Sequence, residues 1–390
     1  MDVEERLALI KANPTEEILT EEDLRTLLEN DVPLRHYQGF EISGMVHLGT
    51  GLVSGLKIAQ LQKAGVKVTI FLADWHSWIN DKLGGDIDII RDVARNYFGV
   101  AMKKSVKAMG GNPDEIDIVL GSELYENNDE YWATVIDVAK HTTLSRIKRS
   151  ITILGRKMGE SVDFAKLIYP VMQVADIFTL QVNIAHAGID QRKAHVIARE
   201  VGLKLNTKYK LMATIKGKKK QIKPIALHHK LLMGLQLTDD YLQMLKEAKA
   251  KNDKEQMHDI FIDVKMSKSV PKSAIFVHDS PEEIKSKIKR AFCPAREVEY
   301  NPILSIAENI IFGAEKTFTI NRPSKFGGPV DYESFADLKD DFADGKIHPL
   351  DLKNAVADWL IAKLDPIRRY FNSGAGKKAL DKLKEIKITR

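Results

Sequence analysis

Short apolar runs alternate with longer segments of helical periodicity along the middle of the chain. Apolar and β-branched runs predict strands at residues 37–40, 66–73, 116–120, 182–185 and 223–227. Apolar positions three and four apart predict helices at residues 49–64, 86–109, 129–158, 164–180 and 191–202. Because strands that alternate with helices pair in parallel, the pattern predicts an α/β domain with a parallel sheet, which we assign to residues 36–275.

The two ends of the chain lack this alternation. Residues 20–23 form an approximate capping box before leucines at helical spacing, so we expect a helical N-terminal arm over residues 1–35. Residues 280–283 combine an N-cap serine, a proline at the first helical position and a glutamate at the third. Since the segment that follows is mostly helical, we expect a mainly α-helical C-terminal domain over residues 276–390.

Length and composition restrict the class of protein. The chain has 390 residues, which at roughly 100–200 residues per domain indicates two or three domains. No apolar run reaches the ~20 residues that a membrane span needs, and the start is acidic and periodic, unlike a signal peptide. We therefore expect a soluble, cytoplasmic protein without a membrane partner. Cys293 is the only cysteine, which excludes intrachain disulfides and zinc sites built from several cysteines.

The net charge of +5 is unevenly distributed. Residues 201–223 hold eight lysines and no acid, and residues 361–390 hold nine basic and three acidic side chains, so the rest of the chain is net negative. Such concentrated basic patches are typical of proteins that bind a polyanion. They are equally typical of the lysine-rich surface of a heat-stable protein, and composition alone leaves both interpretations open.

Two segments carry candidate phosphate chemistry, although neither GxxxxGK[ST] nor GxGxxG occurs. Residues 39–51 contain four glycines and His47 where a strand turns into a helix. Glycines let a ligand approach the backbone, a helix N-terminus attracts phosphate, and a histidine can donate to an oxygen that gains charge. Residues 265–269 place lysines on both sides of a serine, which suits a mobile clamp on a transferring phosphate group. Taken singly, each segment could be an ordinary solvated loop.

Together the two segments resemble the signature motifs of class I aminoacyl-tRNA synthetases. His47-Leu48-Gly49-Thr50 resembles the HIGH motif, and residues 265–269 match the KMSKS motif letter for letter. Further segments resemble the archaeal and eukaryotic type of tyrosyl-tRNA synthetase, and the resemblance extends over about residues 15–370. These segments are Tyr37-Gln38-Gly39-Phe40-Glu41, Leu72-Ala73-Asp74-Trp75-His76, Tyr169-Pro170-Val171-Met172-Gln173-Val174-Ala175-Asp176, Gly188-Ile189-Asp190-Gln191-Arg192-Lys193 and His348-Pro349-Leu350-Asp351-Leu352-Lys353-Asn354.

The resemblance implies a fold and a reaction. The fold is a Rossmann-like parallel-sheet catalytic domain over residues 36–275, with an inserted helical region near residues 110–165, followed by a helical anticodon-recognition domain. The reaction attaches L-tyrosine to tRNA(Tyr) through a tyrosyl-adenylate and releases AMP and pyrophosphate, with ATP carrying Mg²⁺ as a substrate. The resemblance further implies a homodimer joined by the inserted region, and no protein-bound zinc, other metal or prosthetic group.

The resemblance assigns residues to an amino-acid pocket. Tyr37 and Asp176 match positions that bind the phenolic hydroxyl of tyrosine. The positions that hold the α-amino group are Tyr169, Gln173 and Gln191, and those expected to line the pocket are Phe71, Ala73 and His76. The spacing of residues 169, 173 and 176 places them on one face of a helix. The alternative is that these polar side chains simply face solvent.

The resemblance also assigns an ATP site with four catalytic residues. His47 and Thr50 match positions that contact phosphate, Lys265 and Lys268 match positions that contact the pyrophosphate, and Asp190 matches the carboxylate that binds the ribose. The other expected ATP-binding residues are Gly39, Gly44, Gly49, Gly188, Met266, Ser267 and Ser269. Thr50 stands where the motif usually has a second histidine. Since a hydroxyl still donates one hydrogen bond, we expect altered rather than abolished activation.

Two groups of residues match positions that contact tRNA. The group expected near the first base pair of the acceptor stem is Arg149, Arg192 and Lys193. The group expected to stack on and accept from the first anticodon base is Phe326, His348 and Asp351. The alternative for His348 is a helix cap. The sequence leaves the role of the lysine-rich segment 204–223 open.

Two other functions remain compatible with the motifs. Tryptophanyl-tRNA synthetase shares the fold and both motifs, although Tyr37 together with Asp176 favours a hydroxylated amino acid. A synthetase-like RNA-binding protein that has lost catalysis is the second alternative, and Thr50 is the only hint toward it.

Overall fold

The structure is a computed structural model that describes residues 1–154, 163–267 and 270–386. Ten strands and nineteen α-helices lie within these ranges. The strands are β1 Thr15–Leu19, β2 Arg35–Glu41, β3 Lys67–Ala73, β4 Ile116–Leu120, β5 Ile184–Gly188, β6 Met212–Ile215, β7 Lys218–Gln221, β8 Ile225–His229, β9 Phe318–Ile320 and β10 Val330–Tyr332.

The helices surround the sheet and make up most of the C-terminal part. They are α1 Val3–Lys11, α2 Glu21–Glu29, α3 Ser54–Lys63, α4 Asp74–Ile79, α5 Ile87–Val93, α6 Gly99–Ala108, α7 Gly121–Tyr125, α8 Asp129–Lys140, α9 Leu144–Ser150, α10 Phe164–Thr179, α11 Arg192–Val201, α12 Asp239–Ala250, α13 Lys254–Val264, α14 Pro281–Lys289, α15 Pro302–Ile306, α16 Phe312–Ala314, α17 Phe335–Ala343, α18 Pro349–Phe371 and α19 Gly374–Glu385.

A six-stranded sheet with the order β1-β8-β5-β2-β3-β4 forms the centre of the molecule. Strands β8, β5, β2, β3 and β4 run parallel, as the alternation of strands and helices predicts. The chain builds one side of the sheet from β2 to β3 and β4, and then the other side from β5 to β8. The strand order therefore reverses beside β2, and ligands of such sheets bind outside the carboxyl ends at that point. The predicted α/β fold class is confirmed.

The N-terminal segment differs from the all-helical arm that the sequence predicts for residues 1–35. Between α1 and α2, the strand β1 pairs antiparallel with β8 and covers what would otherwise be the edge of the parallel sheet. The strand contains only two apolar residues, Ile18 and Leu19, so it shows no strand periodicity in the sequence. The end of α1 is held by Lys57, whose Nζ donates to three main-chain carbonyl groups.

The lysine-rich segment 204–223, whose role the sequence leaves open, contains the hairpin β6–β7. Helix α14 begins with the predicted capping box, in which Ser280 and Glu283 exchange hydrogen bonds with each other's main chain. The end of α18 packs against the helical layer beside the sheet through Phe371, whose ring lies 5.2 Å from that of Tyr97 between α5 and α6. The Tyr97 hydroxyl accepts from the amide of Val46, which fixes the main chain just before His47.

Candidate active site

The predicted pocket residues converge at the carboxyl ends of the central strands. Tyr37 comes from β2, Phe71 and Ala73 come from β3, and His76 follows in α4. The polar residues of the helical face lie on α10, where Asp176 is 1% exposed. The alternative that these side chains face solvent is thereby excluded for Asp176. The fold therefore places the buried carboxyl group of Asp176 beside an apolar, aromatic surface.

Among the described residues, the carboxylate of Asp176 accepts hydrogen bonds through one of its two oxygens. Its Oδ1 accepts from the hydroxyls of Tyr125 and Tyr131, at 3.0 and 3.1 Å. Its Oδ2 is buried and has no hydrogen-bond partner among the described residues, and it lies 3.6 Å from Nε2 of His76. This oxygen is an acceptor that suits a ligand hydroxyl, because a buried acceptor without a partner is costly unless a ligand supplies one.

Burial controls the protonation of the groups around that oxygen. Burial lowers the pKa of His76 to about 3, so its imidazole is neutral. Burial raises the pKa of Asp176, and the hydroxyls of Tyr125 and Tyr131 act against this rise by donating to the carboxylate. Burial and the nearby Asp176 raise the pKa of Tyr37, so its hydroxyl stays protonated and can donate. The ring of Tyr37 packs 5.9 Å from that of Phe71.

A second polar group lies where the sequence predicts the α-amino group of the substrate. Gln173 Nε2 donates to Oε1 of Gln191 at 3.3 Å, and Gln191 in turn donates to a main-chain carbonyl at 3.0 Å. Oε1 of Gln173 is buried without a partner in the described ranges. The Tyr169 hydroxyl lies 3.5 Å from Oε1 of Glu41. An amide oxygen, a phenol and a carboxylate together suit an ammonium group.

The glycine-rich segment after β2 brings the main chain close to its neighbours. Gly44 has a φ of 134°, which a side chain would rarely allow. A Cβ at Gly39 would lie 3.1 Å from the Tyr37 ring, and one at Gly49 would lie 3.1 Å from the His47 ring. His47 Nε2 is 3.2 Å from the hydroxyl of Thr50. The hydroxyl of Thr50 therefore lies beside His47, although it replaces the second histidine of the motif.

Both signature segments are held by main-chain hydrogen bonds to neighbouring stretches. The amide of Leu48 donates to the carbonyl of Ile275 at 3.0 Å. The amide of buried Met266 donates to the carbonyl of Leu232 at 2.7 Å. Lys268 and Ser269, which the sequence assigns to the ATP site, lie outside the described residues.

Two predicted ATP-binding residues are paired with each other. Nζ of Lys265 lies 2.6 Å from Oδ2 of Asp190, at the carboxyl end of β5. Burial acts to raise the pKa of Asp190, but the charge and hydrogen bond of Lys265 outweigh it and lower the pKa below its usual value. A Cβ at Gly188 would lie 2.6 Å from Oδ1 of Asp190, so a larger residue there would displace that carboxylate. The predicted nucleotide end of the site therefore carries these two charges as an ion pair.

The predicted acceptor-stem residues lie on α9 and α11. Arg149 is exposed on α9. Arg192 Nε donates to both carboxylate oxygens of Glu17 on β1, at 3.0 and 2.8 Å, and Lys193 Nζ donates to the hydroxyl of Thr152 at 3.1 Å. Hydrogen bonds to Glu17 and Thr152 thus orient the side chains of Arg192 and Lys193.

The predicted anticodon residues lie in two neighbouring loops of the C-terminal part. Phe326 is 59% exposed at the end of a short turn. His348 is the N-cap of α18, where its Nδ1 accepts from the amide of Leu350 at 3.1 Å, so the helix-cap alternative is present in the structure. Asp351 lies in the first turn of the same helix. Arg322 joins the two loops, because its guanidinium donates to the carbonyls of residues 328 and 346, each at 2.8 Å.

Sequence reasoning missed several residues of these sites. Tyr125 and Tyr131 hold Asp176, Glu41 lies beside the predicted amino-group residues, and Arg322 joins the anticodon loops. Glu41 stands in a matched segment and could have been found there. The other three carry no local pattern that indicates a role, since their function depends on which distant groups they meet.

In residues 1–154, 163–267 and 270–386, no helix combines the length and apolar character of a membrane span. Within the same ranges, no cluster of three or more histidine, cysteine, aspartate or glutamate side chains is arranged to hold a metal ion.

The chain is similar to proteins of known activity over its whole length. The profile of tRNA synthetases class I (W and Y) matches residues 29–365. Tyrosine–tRNA ligase of Thermococcus kodakarensis is 59% identical over 391 residues, which is 100% of each chain. Tyrosine–tRNA ligase of Pyrobaculum calidifontis is 49% identical over 392 residues, again 100% of each chain. The crystal structure of tyrosyl-tRNA synthetase complexed with L-tyrosine from Pyrococcus horikoshii superposes with a TM-score of 0.91 at 56% identity, over 99% of this chain and 100% of that one.

Proposed function

The chain belongs to the class I tRNA synthetases of the tryptophan and tyrosine type, and we propose that it attaches L-tyrosine to tRNA(Tyr) at the expense of ATP. The observation that carries the choice of amino acid is the unpartnered Oδ2 of buried Asp176 at the end of an aromatic pocket. The phenol of tyrosine donates to this oxygen and can accept from Tyr37. Tyrosyl enzymes are the established example of a hydroxyl-selective site, and they reject phenylalanine by about 10⁵ because their polar groups would stay unpaired.

In the first step, the tyrosine carboxylate attacks the α-phosphate of ATP and pyrophosphate leaves. The protein positions the two reactants and stabilises charge on the phosphate oxygens, and no protein nucleophile is required. His47 and Thr50 donate to the phosphate, while Lys265 and Lys268 bind the departing pyrophosphate, with Mg²⁺ carried by the phosphates of ATP. Because Lys265 and Asp190 are paired, ATP must separate them, after which Asp190 accepts from the ribose.

In the second step, a ribose hydroxyl at the 3′ end of tRNA attacks the tyrosyl carbonyl, and AMP leaves. Arg149, Arg192 and Lys193 bind phosphates of the acceptor stem, and the contact of Lys193 with the turn after α9 supports a shared basic surface on α9 and α11. Phe326 stacks on the first anticodon base, and its exposure supports this role. For this function we assign residues 1–35 to an N-terminal arm, residues 36–275 to the catalytic domain and residues 276–390 to the anticodon domain.

The active protein is a cytoplasmic homodimer joined by the inserted helical region. Large apolar side chains that face water support this assembly, because monomers rarely expose several of them in one region. Those of the inserted region and its border are Trp132, Ile136, Leu144 and Phe164, which are 37, 61, 60 and 75% exposed.

The test is tyrosine-dependent exchange of pyrophosphate into ATP, followed by charging of tRNA(Tyr). Wild-type protein should support exchange with tyrosine, much less with phenylalanine or tryptophan, and should then esterify tRNA(Tyr). Exchange that requires tryptophan would identify the tryptophan enzyme instead. Binding of tRNA without any exchange would point to an RNA-binding protein that has lost catalysis.

A further inference from the structure

We infer that Tyr125 and Tyr131 are positioning residues that set the preference for tyrosine by holding the carboxylate of Asp176 through a single oxygen. This inference rests on the proposed function and extends it to two residues that contact no reacting atom. Both hydroxyls donate to Oδ1, while Oδ2 is buried without a partner among the described residues. A carboxylate that is held this way presents one oxygen, in one orientation, to a ligand hydroxyl.

The two phenols are fixed in the orientation that this role requires. Their rings stack with centroids 4.2 Å apart and an interplanar angle of 28°. The ring of Trp75 packs against Tyr125 at a centroid distance of 5.5 Å. The side chain of Asn128 caps α8 by accepting from the amide of Tyr131 at 3.1 Å, and it donates back to the carbonyl of Leu124 on α7 at 3.0 Å. The hydroxyls therefore cannot turn away without disturbing the packing.

The two hydrogen bonds also favour the ionised form of the carboxyl group. Burial and the nearby Asp74 favour its protonated form, whereas donation from Tyr125 and Tyr131 favours the carboxylate. The phenols remain donors, because burial raises the pKa of each well above its usual value. An ionised acceptor binds a phenol more strongly than a neutral carboxyl group does. Each tyrosine hydroxyl thus strengthens the acceptor as well as orienting it.

The two tyrosines come from the inserted helical region, not from the strands of the sheet. Tyr125 ends α7 and Tyr131 lies in the first turn of α8, 51 and 45 positions before Asp176. This region therefore has a role in amino-acid selection besides the assembly proposed for it. The competing explanation is that the two hydroxyls only stabilise a buried acid, with no effect on the choice of substrate.

The variants Tyr125→Phe and Tyr131→Phe separate the two explanations, since each removes one hydroxyl and keeps the ring. The measurement is kcat/KM for pyrophosphate exchange with tyrosine and with phenylalanine. Loss of a hydrogen bond to a charged group should lower the tyrosine-to-phenylalanine ratio about tenfold in each variant. The loss should come from a higher KM for tyrosine, with kcat/KM for phenylalanine unchanged.

The matched control is Tyr209→Phe. The Tyr209 hydroxyl donates to Oδ1 of Asn128 at 3.0 Å, in the same cluster but without contact to Asp176. This control should keep the wild-type ratio. An unchanged ratio in both position-125 and position-131 variants, or equal losses with both amino acids, would overturn the inference. If one variant does not fold, the other decides, since each hydroxyl makes its own hydrogen bond. Absence of tyrosine-dependent exchange in the wild type would instead reject the proposed function.

Discussion

The amino-acid end and the nucleotide end of the site are built on opposite principles. At the amino-acid end, Tyr37, His76 and Asp176 are each no more than 2% exposed, and the carboxylate is already held by neighbouring hydroxyls. At the nucleotide end, Lys265 and Asp190 retain 28 and 14% of their side-chain exposure and are bound to each other. In the proposed function, the amino-acid end lacks only its ligand, and we expect the ion pair at the nucleotide end to separate when ATP binds.

The difference follows from what each end has to recognise. A phenol differs from a phenyl ring by one hydroxyl, so selection requires a buried acceptor that water cannot satisfy. A triphosphate carries several charges that move during the reaction, so its partners must be able to follow them. A fixed acceptor provides selectivity, while a pair of charges that can separate provides adaptability. Substitutions at the two ends should therefore have different kinetic signatures.

The largest effect is expected from Asp176→Ala, which removes the acceptor at the fixed end. We expect the preference for tyrosine over phenylalanine to fall roughly 100-fold, because the variant loses a charged hydrogen bond and leaves two phenols unpaired. Pyrophosphate exchange with both amino acids measures this ratio. Asp137→Ala is the control, since Asp137 is also a buried acid of this region but binds the amide of Asn206. Equal ratios in the two variants would contradict a preformed acceptor.

The next effect concerns the nucleotide end. Lys265→Ala should lower kcat for pyrophosphate exchange about tenfold or more, because a charged contact to the phosphates is lost. The affinity for tyrosine, measured by calorimetry without ATP, should stay unchanged, because the substitution lies outside the fixed end. Lys246→Ala is the control, since Lys246 forms an exposed ion pair with Glu297 at 3.2 Å. A weaker affinity for tyrosine in Lys265→Ala would show that the two ends are not separate.

Some parts of the fold and of the candidate site could be predicted from the sequence, and others could not. The parallel sheet was predictable because short strand-like runs, of which residues 66–73 are the clearest, alternate with segments of helical periodicity. Strand β1 was not predictable, because its sequence Thr-Glu-Glu-Ile-Leu has no strand periodicity and is held in the sheet by pairing with β8. The role of Tyr125 and Tyr131 was not predictable either. Their hydroxyls meet Asp176 through the packing of α7, α8 and α10, which no local pattern records.

The pairing of Lys265 with Asp190 illustrates a second limit. Motif matching assigned each residue to a different part of ATP, and it contained no information on their distance without a ligand. The two residues are 75 positions apart and meet because β5 and the segment after α13 end at the same edge of the sheet. The sequence thus assigns both residues to the nucleotide, but their mutual ion pair depends on the three-dimensional fold.

A smaller effect concerns the sheet beneath the nucleotide end, where a chain of buried histidines crosses three strands. Nε2 of His36 lies 2.9 Å from Nδ1 of His186, and Nε2 of His186 lies 2.8 Å from Nδ1 of His229. Burial lowers the pKa of His36 to about 3 and that of His229 to about 4. Lys57 lowers all three pKa values, while Asp190 acts in the opposite direction on His229.

The buried histidines of this chain and the buried Asp176 should therefore respond to pH with opposite signs. A histidine whose pKa is lowered by folding stabilises the fold above its unfolded value of about 6.5, and this contribution is lost as the pH falls toward 4. A carboxyl group whose pKa is raised, as in Asp176, instead contributes stability that is lost as the pH rises. Each such histidine adds at most about 1.4 kcal/mol per pH unit to the slope of the unfolding free energy.

We expect His36→Gln to reduce that slope between pH 7 and 5 by less than about 1.4 kcal/mol per pH unit, in urea unfolding measured at several pH values. His36 is the best choice because its Nδ1 has no partner among the described residues and it lies farthest along the chain from Asp190. If the His36 variant kept the wild-type slope, the acid sensitivity of the fold would have to come from the carboxyl groups instead, and the contrast in pH response would not hold.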